Sequence, residues 1–200
     1  MPGLRETKKA KTRSDLASTA ARLFGRDGYQ NVTMAQVAAA AGVADQTLYN
    51  YFPTKESLVF DRSDEIEQSL VDAMTGRAAG VSVIDTYSGW LDVVVLGAAA
   101  ERSLDHPGGM PRLVASSEGL QRALLDVAHR ISTSLAASLV SSEGWPLPVA
   151  VTVSDALLQV MVRTIEEVGL ATGRSALGDI TRRTHMAVEV LRPLFSQQLT

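Results

Sequence analysis

The stretch TMAQVAAAAGVADQTLYNYFPTKE, Thr33 to Glu56, sets an alanine run, one glycine and a crowd of aromatic and amide side chains side by side. Thr33 is a suitable N-cap for a helix through about Ala40, because its hydroxyl can accept from a first-turn amide that has no helical partner. Gly42 ends that helix. A second helix is expected from about Asp45 to Tyr51 and is stopped by Pro53, since the residue before a proline is driven out of helical geometry. Two short helices that cross closely need a small residue on the first, a glycine in the turn and an apolar residue returned by the second. Ala38, Gly42 and Leu48 meet those needs, and Val37, Ala41 and Val43 complete the apolar inside.

The other side of the second helix separates this pair from two helices of an ordinary bundle. With Leu48 and Phe52, four apart, turned inward, Asp45, Gln46, Tyr49 and Asn50 face out and Tyr51 lies at the edge. A face that is merely solvated carries lysine and glutamate. This one carries amides able to read base edges and phenols able to reach phosphates or thymine methyl groups. Lys55 follows at the start of the next helix, where its ammonium and the unpaired amides both favour a phosphate.

The segment ARLFGRDGYQNVTMAQVAAAAGVADQTLYNYFPTKESL, Ala21 to Leu58, resembles the DNA-binding region of the TetR family of bacterial transcriptional repressors. The pattern G-V-x-x-x-T-L-Y-x-Y-F-x-x-K-E carries the likeness, which spans roughly residues 12 to 60. The resemblance implies that Thr33, Gln46, Tyr49, Asn50, Tyr51 and Lys55 meet a double-stranded DNA operator and that the basic N-terminal arm adds backbone or minor-groove contacts. Many members carry serine at the Ala44 position and lysine or a small residue at the Asp45 position. Here the hydroxyl cap is missing and an acid stands near the phosphates, so Asp45 either caps the helix or accepts from a cytosine amine.

Charge is distributed in the same sense. Residues 1 to 62 hold nine basic residues against six acids, a balance of +3, and the remainder ten arginines against sixteen acids, a balance of −6. All the lysines lie at or before Lys55. A basic end of this kind either meets a polyanion or is a solvated face. The absence of cysteine removes disulfides and thiolate chemistry. The polar start MPGLRETKKAKTR does not read as a signal sequence, and the apolar run Val93 to Ala100 is too short for a membrane span, so a cytoplasmic protein without a membrane partner is expected.

Apolar residues recur at helical spacing almost throughout, which predicts an all-α fold: an arm and three-helix module over residues 1–54, then a larger helical domain over 55–200. The first helix is drawn from about Thr12 to Arg26, and a single helix from Lys55 to about Met74 links the module to the body. A further helix is expected over Val83 to Ala100, and a loop or hinge over Asp105 to Pro111. The stripe Leu120, Leu124, Val127, Ile131, Leu135 and Leu139 marks a long helix. Two more, about Val149 to Leu170 and Ala176 to Phe195, carry apolar positions too broad for one buried side: Leu157, Leu158, Val160, Met161, Ile165, Val168, then Leu177, Ile180, Val188, Leu191, Leu194 and Phe195. Pattern and resemblance together make these the interface of a homodimer, with a monomer core as the other reading.

The family implies a small-molecule effector, and Tyr87, Trp90, Met110 and Met161, with Thr164 or His129, would give it an apolar cavity with few polar handles. The same residues also read as packed core. An enzyme finds little support: His106, His129 and His185 are far apart, no H-x-x-x-H or paired carboxylate cluster is present, and no cofactor or metal is implied. GLATGRS, Gly169 to Ser175, has the wrong spacing and an arginine in place of lysine for a phosphate loop. The reading is a repressor released by a hydrophobic effector, with an enzyme or an architectural DNA binder as alternatives.

Overall fold

The computed structural model describes residues 3–97, 109–172 and 174–196, and among these no strand occurs. Among the described residues ten α-helices follow one another: α1 (Leu4–Asp27), α2 (Met34–Ala41), α3 (Asp45–Tyr51), α4 (Lys55–Val59), α5 (Ser63–Thr75), α6 (Val83–Leu91), α7 (Met110–Ala115), α8 (Glu118–Glu143), α9 (Leu147–Leu170) and α10 (Arg174–Ser196).

The first four helices pack on one another at one end of a hydrophobic core that continues into the body. Leu16, Ala20 and Phe24 of α1 meet Val37 and Ala38 of α2, Leu48 of α3 and Leu58 of α4, all buried, and Phe52 closes the bottom. Each of the leucine, valine and phenylalanine side chains contributes roughly 1.5–3 kcal/mol by leaving water, so this packing rather than helix propensity holds the short helices in shape. α1 is longer than its apolar stripe predicts. It begins at Leu4, with the Gly3 amide donating to Glu6 at 3.0 Å, so the basic arm is a helical extension whose Lys8, Lys9 and Lys11 stand exposed.

The expected helix from Lys55 to Met74 is two helices. α4 ends where Phe60 leaves helical geometry, and the turn Phe60–Arg62 precedes α5, whose Ser63 amide donates back to the Phe60 carbonyl. The cause lies in FDRSDE, Phe60 to Glu65, where Asp64 and Glu65 suit a fresh first turn and favour its amide end. The apolar stripe still runs through the break, with Val59, Leu70 and Met74 buried.

In the body α8 and α9 pack along each other, α7 lies on α9, and α10 covers α9 and α6. Ion pairs hold α5, and the segment just after it, to α8. Arg130 pairs with Glu67 and Asp64 and donates to Ser63 Oγ, and at the other end Arg77 meets Glu143 at 2.6 Å in a half-buried setting. Gly169 allows α9 to touch α7, since a Cβ there would sit 2.2 Å from the Pro111 carbonyl oxygen. α6 passes into a π-helical segment, Asp92–Gly97, in place of a regular helix to Ala100, and residues 98–100 lie outside the described ones. The expected loop is part helix: Met110 and Pro111 open α7, where proline is suited because the first-turn amides have no helical partner, while Asp105 to Gly108 lie outside the described residues.

α9 is, among the described residues, the one helix long and apolar enough to cross a membrane, and half of its apolar window is buried inside the fold. That burial corrects the expected interface. Leu157, Leu158, Met161, Ile165, Val168, Ile180 and Val188 are core of the chain itself, and Leu191 is half-buried against that core. The large apolar side chains left outside are Leu147, Val151 and, at its end, Leu170 on α9 and Met186 and Val190 on α10, the last two 64% and 77% exposed. The side chains of Leu194 and Phe195 lie outside the described ones.

Candidate nucleic-acid interface

The turn between α2 and α3 is set by Gly42. Its φ of +68° and ψ of +30° are left-handed, and its amide donates to the Ala39 carbonyl while that of Val43 reaches back to Ala38. This pair of bonds closes the end of α2 and brings Val43 inward. At the other end of α2 Thr33 makes the expected cap: the Gln36 amide donates to its hydroxyl at 3.2 Å, and the Gln36 carboxamide oxygen accepts from the Thr33 amide at 2.7 Å.

α3 therefore leaves the turn with Leu48 fully buried and its outer side in solvent. Asp45, Gln46, Tyr49 and Asn50 are exposed, Tyr51 is half-buried at the edge, and Tyr49 alone is a large side chain 46% open to water. Gln46 Nε2 donates to Asn50 Oδ1 at 3.1 Å, so two amides one turn apart present a joint row of donors and acceptors. Ala44 occupies the N-cap with no side-chain bond, and Asp45 follows as the first helical residue. Its carboxylate is thus placed beside the positive end of the helix rather than at the cap.

Lys55 opens α4 after Thr54, whose hydroxyl accepts from the Ser57 amide. The ammonium does not stretch into water. It lies 4.2 Å from the Tyr29 ring centre and 6.0 Å from that of Phe24, and burial holds its pKa below the ordinary lysine value. Tyr29 in turn donates to Glu56 at 2.9 Å. Burial and that bond push its phenol up, while Glu56, despite its own burial, is held low by its own amide and by Tyr29 and Thr54.

One contributor was not singled out in the sequence. Arg13 of α1 donates to the Tyr51 carbonyl at 2.9 Å and to the Asp61 carbonyl at 3.2 Å, with its guanidinium 4.4 Å from the Phe52 ring centre. A signal existed: Arg13 stands three and four residues before Leu16 and Ala17, which puts a charge on the buried stripe of α1.

A helix-turn-helix closed by glycine, with a polar outer face on its second helix and a lysine at the following N-terminus, is an arrangement for the major groove. The model for bacterial regulatory proteins of the tetR family matches residues 16–61. A transcriptional regulator from Streptomyces glaucescens, TcmR, is 30% identical over 151 residues, covering 73% of this chain and 66% of that protein. The chain belongs to the TetR family. Members are DNA-binding transcription factors rather than enzymes. The transcriptional repressor KstR2 of Rhodococcus jostii strain RHA1 is 36% identical over 69 residues, covering 34% of this chain and 32% of that protein. The chain thus spans about two thirds of the first relative's length and a third of the second's. The crystal structure of the TetR-family repressor AlkX from Dietzia sp. shares the fold, at a TM-score of 0.63 and 16% identity, over 93% of this chain and 98% of that one.

The residues expected around an effector lie in the body of this TetR-family fold. Tyr87 and Trp90 are buried with ring centres 5.8 Å apart. The Tyr87 hydroxyl donates to the Leu157 carbonyl at 2.5 Å and the indole donates to Ser69 at 3.0 Å. Met161 and Thr164 are buried, the latter sharing a hydrogen bond with Thr184, and Met110 is half-buried at the start of α7. His129 is exposed on α8. A cleft of about 530 Å³ lies instead where module and body meet, between Tyr29, Gln30, Lys55, Ser117 and Arg122, with Gln30 donating to Ser117 at 3.0 Å.

Proposed function

We propose that the chain is a cytoplasmic transcriptional repressor that binds a pseudo-palindromic operator as a homodimer and is released by a small hydrophobic molecule. The observation that carries this is the outer face of α3, where Gln46, Tyr49 and Asn50 stand exposed on a helix whose inner side is locked by Leu48. Gln46 and Asn50 read bases, because carboxamides pair with adenine through two bonds. Tyr49, Tyr51 and Thr33 meet the backbone, Ala44 and Asp45 lie at the groove edge, and Lys55 exchanges the Tyr29 ring for a phosphate. The exposed lysines along the first turns of α1 add sequence-independent attraction.

The second copy joins through the outward apolar side chains Val151, Met186 and Val190, which leaves residues 1–54, with Lys55 at the boundary, to DNA and the rest of 55–200 to effector and partner. Tyr87, Trp90, Met110, Met161 and Thr164 form the effector site. Because they are closely packed, a ligand enters by displacing the indole from Ser69 rather than by filling an open space.

The test is to select duplexes from fragments of the source genome with the wild-type chain and scan the recovered operator base by base. Gln46→Ala and Asn50→Ala are each expected to relax one position by about 1–3 kcal/mol while affinity for random DNA is kept. Equal losses on operator and random DNA would reduce both amides to backbone contacts.

A further inference from the structure

The ion pairs on α5 raise a question about how the body reaches the DNA module. Arg130 on Glu67, and Arg77 just past the end of α5 on Glu143, tie α5 to α8, so the joint between the body and the DNA module is the turn Phe60–Arg62. That turn and the end of the recognition helix, ten residues apart in sequence, are held by one side chain. Arg13 donates to the carbonyl of Asp61 in the turn and to the carbonyl of Tyr51, the last residue of α3. The Tyr51 carbonyl belongs to the last turn of a helix, where the final oxygens have no helical donor, and a cation there also suits the negative end. The guanidinium is seated on Phe52, which is itself fully buried, so its plane cannot drift without disturbing the module core.

We infer that Arg13 is a positioning residue, a tether that makes the recognition helix and the α4–α5 turn move as one unit, so that a shift of the body is delivered to α3. The inference about DNA rests on the reading of α3 as the recognition helix; the tether itself does not. Lysine keeps the positive charge above Phe52 but lacks the planar two-pronged donor that spans both carbonyls.

The experiment uses the full chain, wild type against Arg13→Lys and Arg13→Gln. Hydrogen exchange without DNA should speed up together in peptides over 48–52 and over 60–64 in both variants, while peptides of α8 and α9 keep their rates. Acceleration of one segment alone, or of neither, overturns the tether. Circular dichroism of Arg13→Lys checks that the fold is kept. On duplexes selected by the wild type, Arg13→Lys should lower the ratio of specific to random binding by about tenfold, the scale of one lost bond to a charged donor. An unchanged ratio overturns the delivery to α3. If the wild type selects no sequence, the recognition reading falls while the exchange data still decide the tether.

Discussion

Helix α3 buries one of its seven residues fully and turns polar side chains outward, whereas α9 buries ten of twenty-four and is apolar over much of its length. The short helix has almost no stability alone, so its place is dictated by what surrounds it: the αL glycine before it, Leu48 beneath it, Pro53 and Arg13 after it. Each is a residue with one structural task, and their spacing identifies the motif. The long helix has many equivalent apolar positions. Its pattern fits a partner subunit as well as a partner helix, so sequence alone does not separate interface from core.

The sharpest way to break that comparison is at the outer face of the body. Met186→Glu combined with Val190→Glu should abolish the dimer and with it operator binding, because each half-site alone binds weakly, while the circular dichroism of the protomer is kept. Sedimentation decides. A dimer that persists with both positions charged would place the contact elsewhere.

Next in size are the two inner faces. Leu48→Ala and Leu157→Ala each remove a fully buried side chain and should each cost about 2–5 kcal/mol in denaturant unfolding. They should differ in kind. Losing Leu48 should speed hydrogen exchange in α2 and α3 and remove operator binding, whereas losing Leu157 should loosen α8 and α9 first. Identical exchange patterns would mean that module and body unfold as one unit.

Legibility followed the same division. The caps at Thr33, Gly42 and Pro53 and the inward and outward sides of α3 could be read because local rules act within one or two turns. The break at Phe60 could not, since no proline or glycine marks it and the apolar stripe continues across it. Arg13 showed in the sequence only as a charge on the buried stripe of α1, and not its role: its partners, at Tyr51 and Asp61, are main-chain carbonyls 38 and 48 residues away, and a carbonyl leaves no mark in the sequence. Of the residues proposed for an effector, Tyr87, Trp90, Met161 and Thr164 sit in a packed core, in which nothing distinguishes a ligand wall from a hydrophobic contact.

Gly42→Ala tests whether the turn is as local as it looks. Nothing lies within 4 Å of the added Cβ, so crowding is absent and only the left-handed backbone is strained. The expected loss is about 1–2 kcal/mol in denaturant unfolding, felt by α2 and α3 and not by the body. A larger loss would show that Gly42 also sets the packing of Val43.

The smallest effect is expected at the joint between the two regions. Burial raises the Asp61 carboxyl above its ordinary value, against the pull of Arg13 and Arg62. A carboxyl raised in the folded state stabilises that state below the unfolded pKa, and the contribution is lost as pH rises through the folded one. At neutral pH the native chain therefore carries a charge it would hold more easily unfolded. Asp61→Asn removes that cost and leaves the Asp61 main-chain carbonyl in place for Arg13, so the variant should melt slightly above the wild type near neutral pH. The advantage should shrink as pH falls through the raised folded value toward the ordinary carboxylate one, and be gone below it, where the wild-type group is protonated too. Melting curves of both proteins across that range supply the check. A variant less stable at neutral pH would mean that the attraction of Arg13 for the carboxylate outweighs its burial, and the charge would then belong to the tether as much as the carbonyl does.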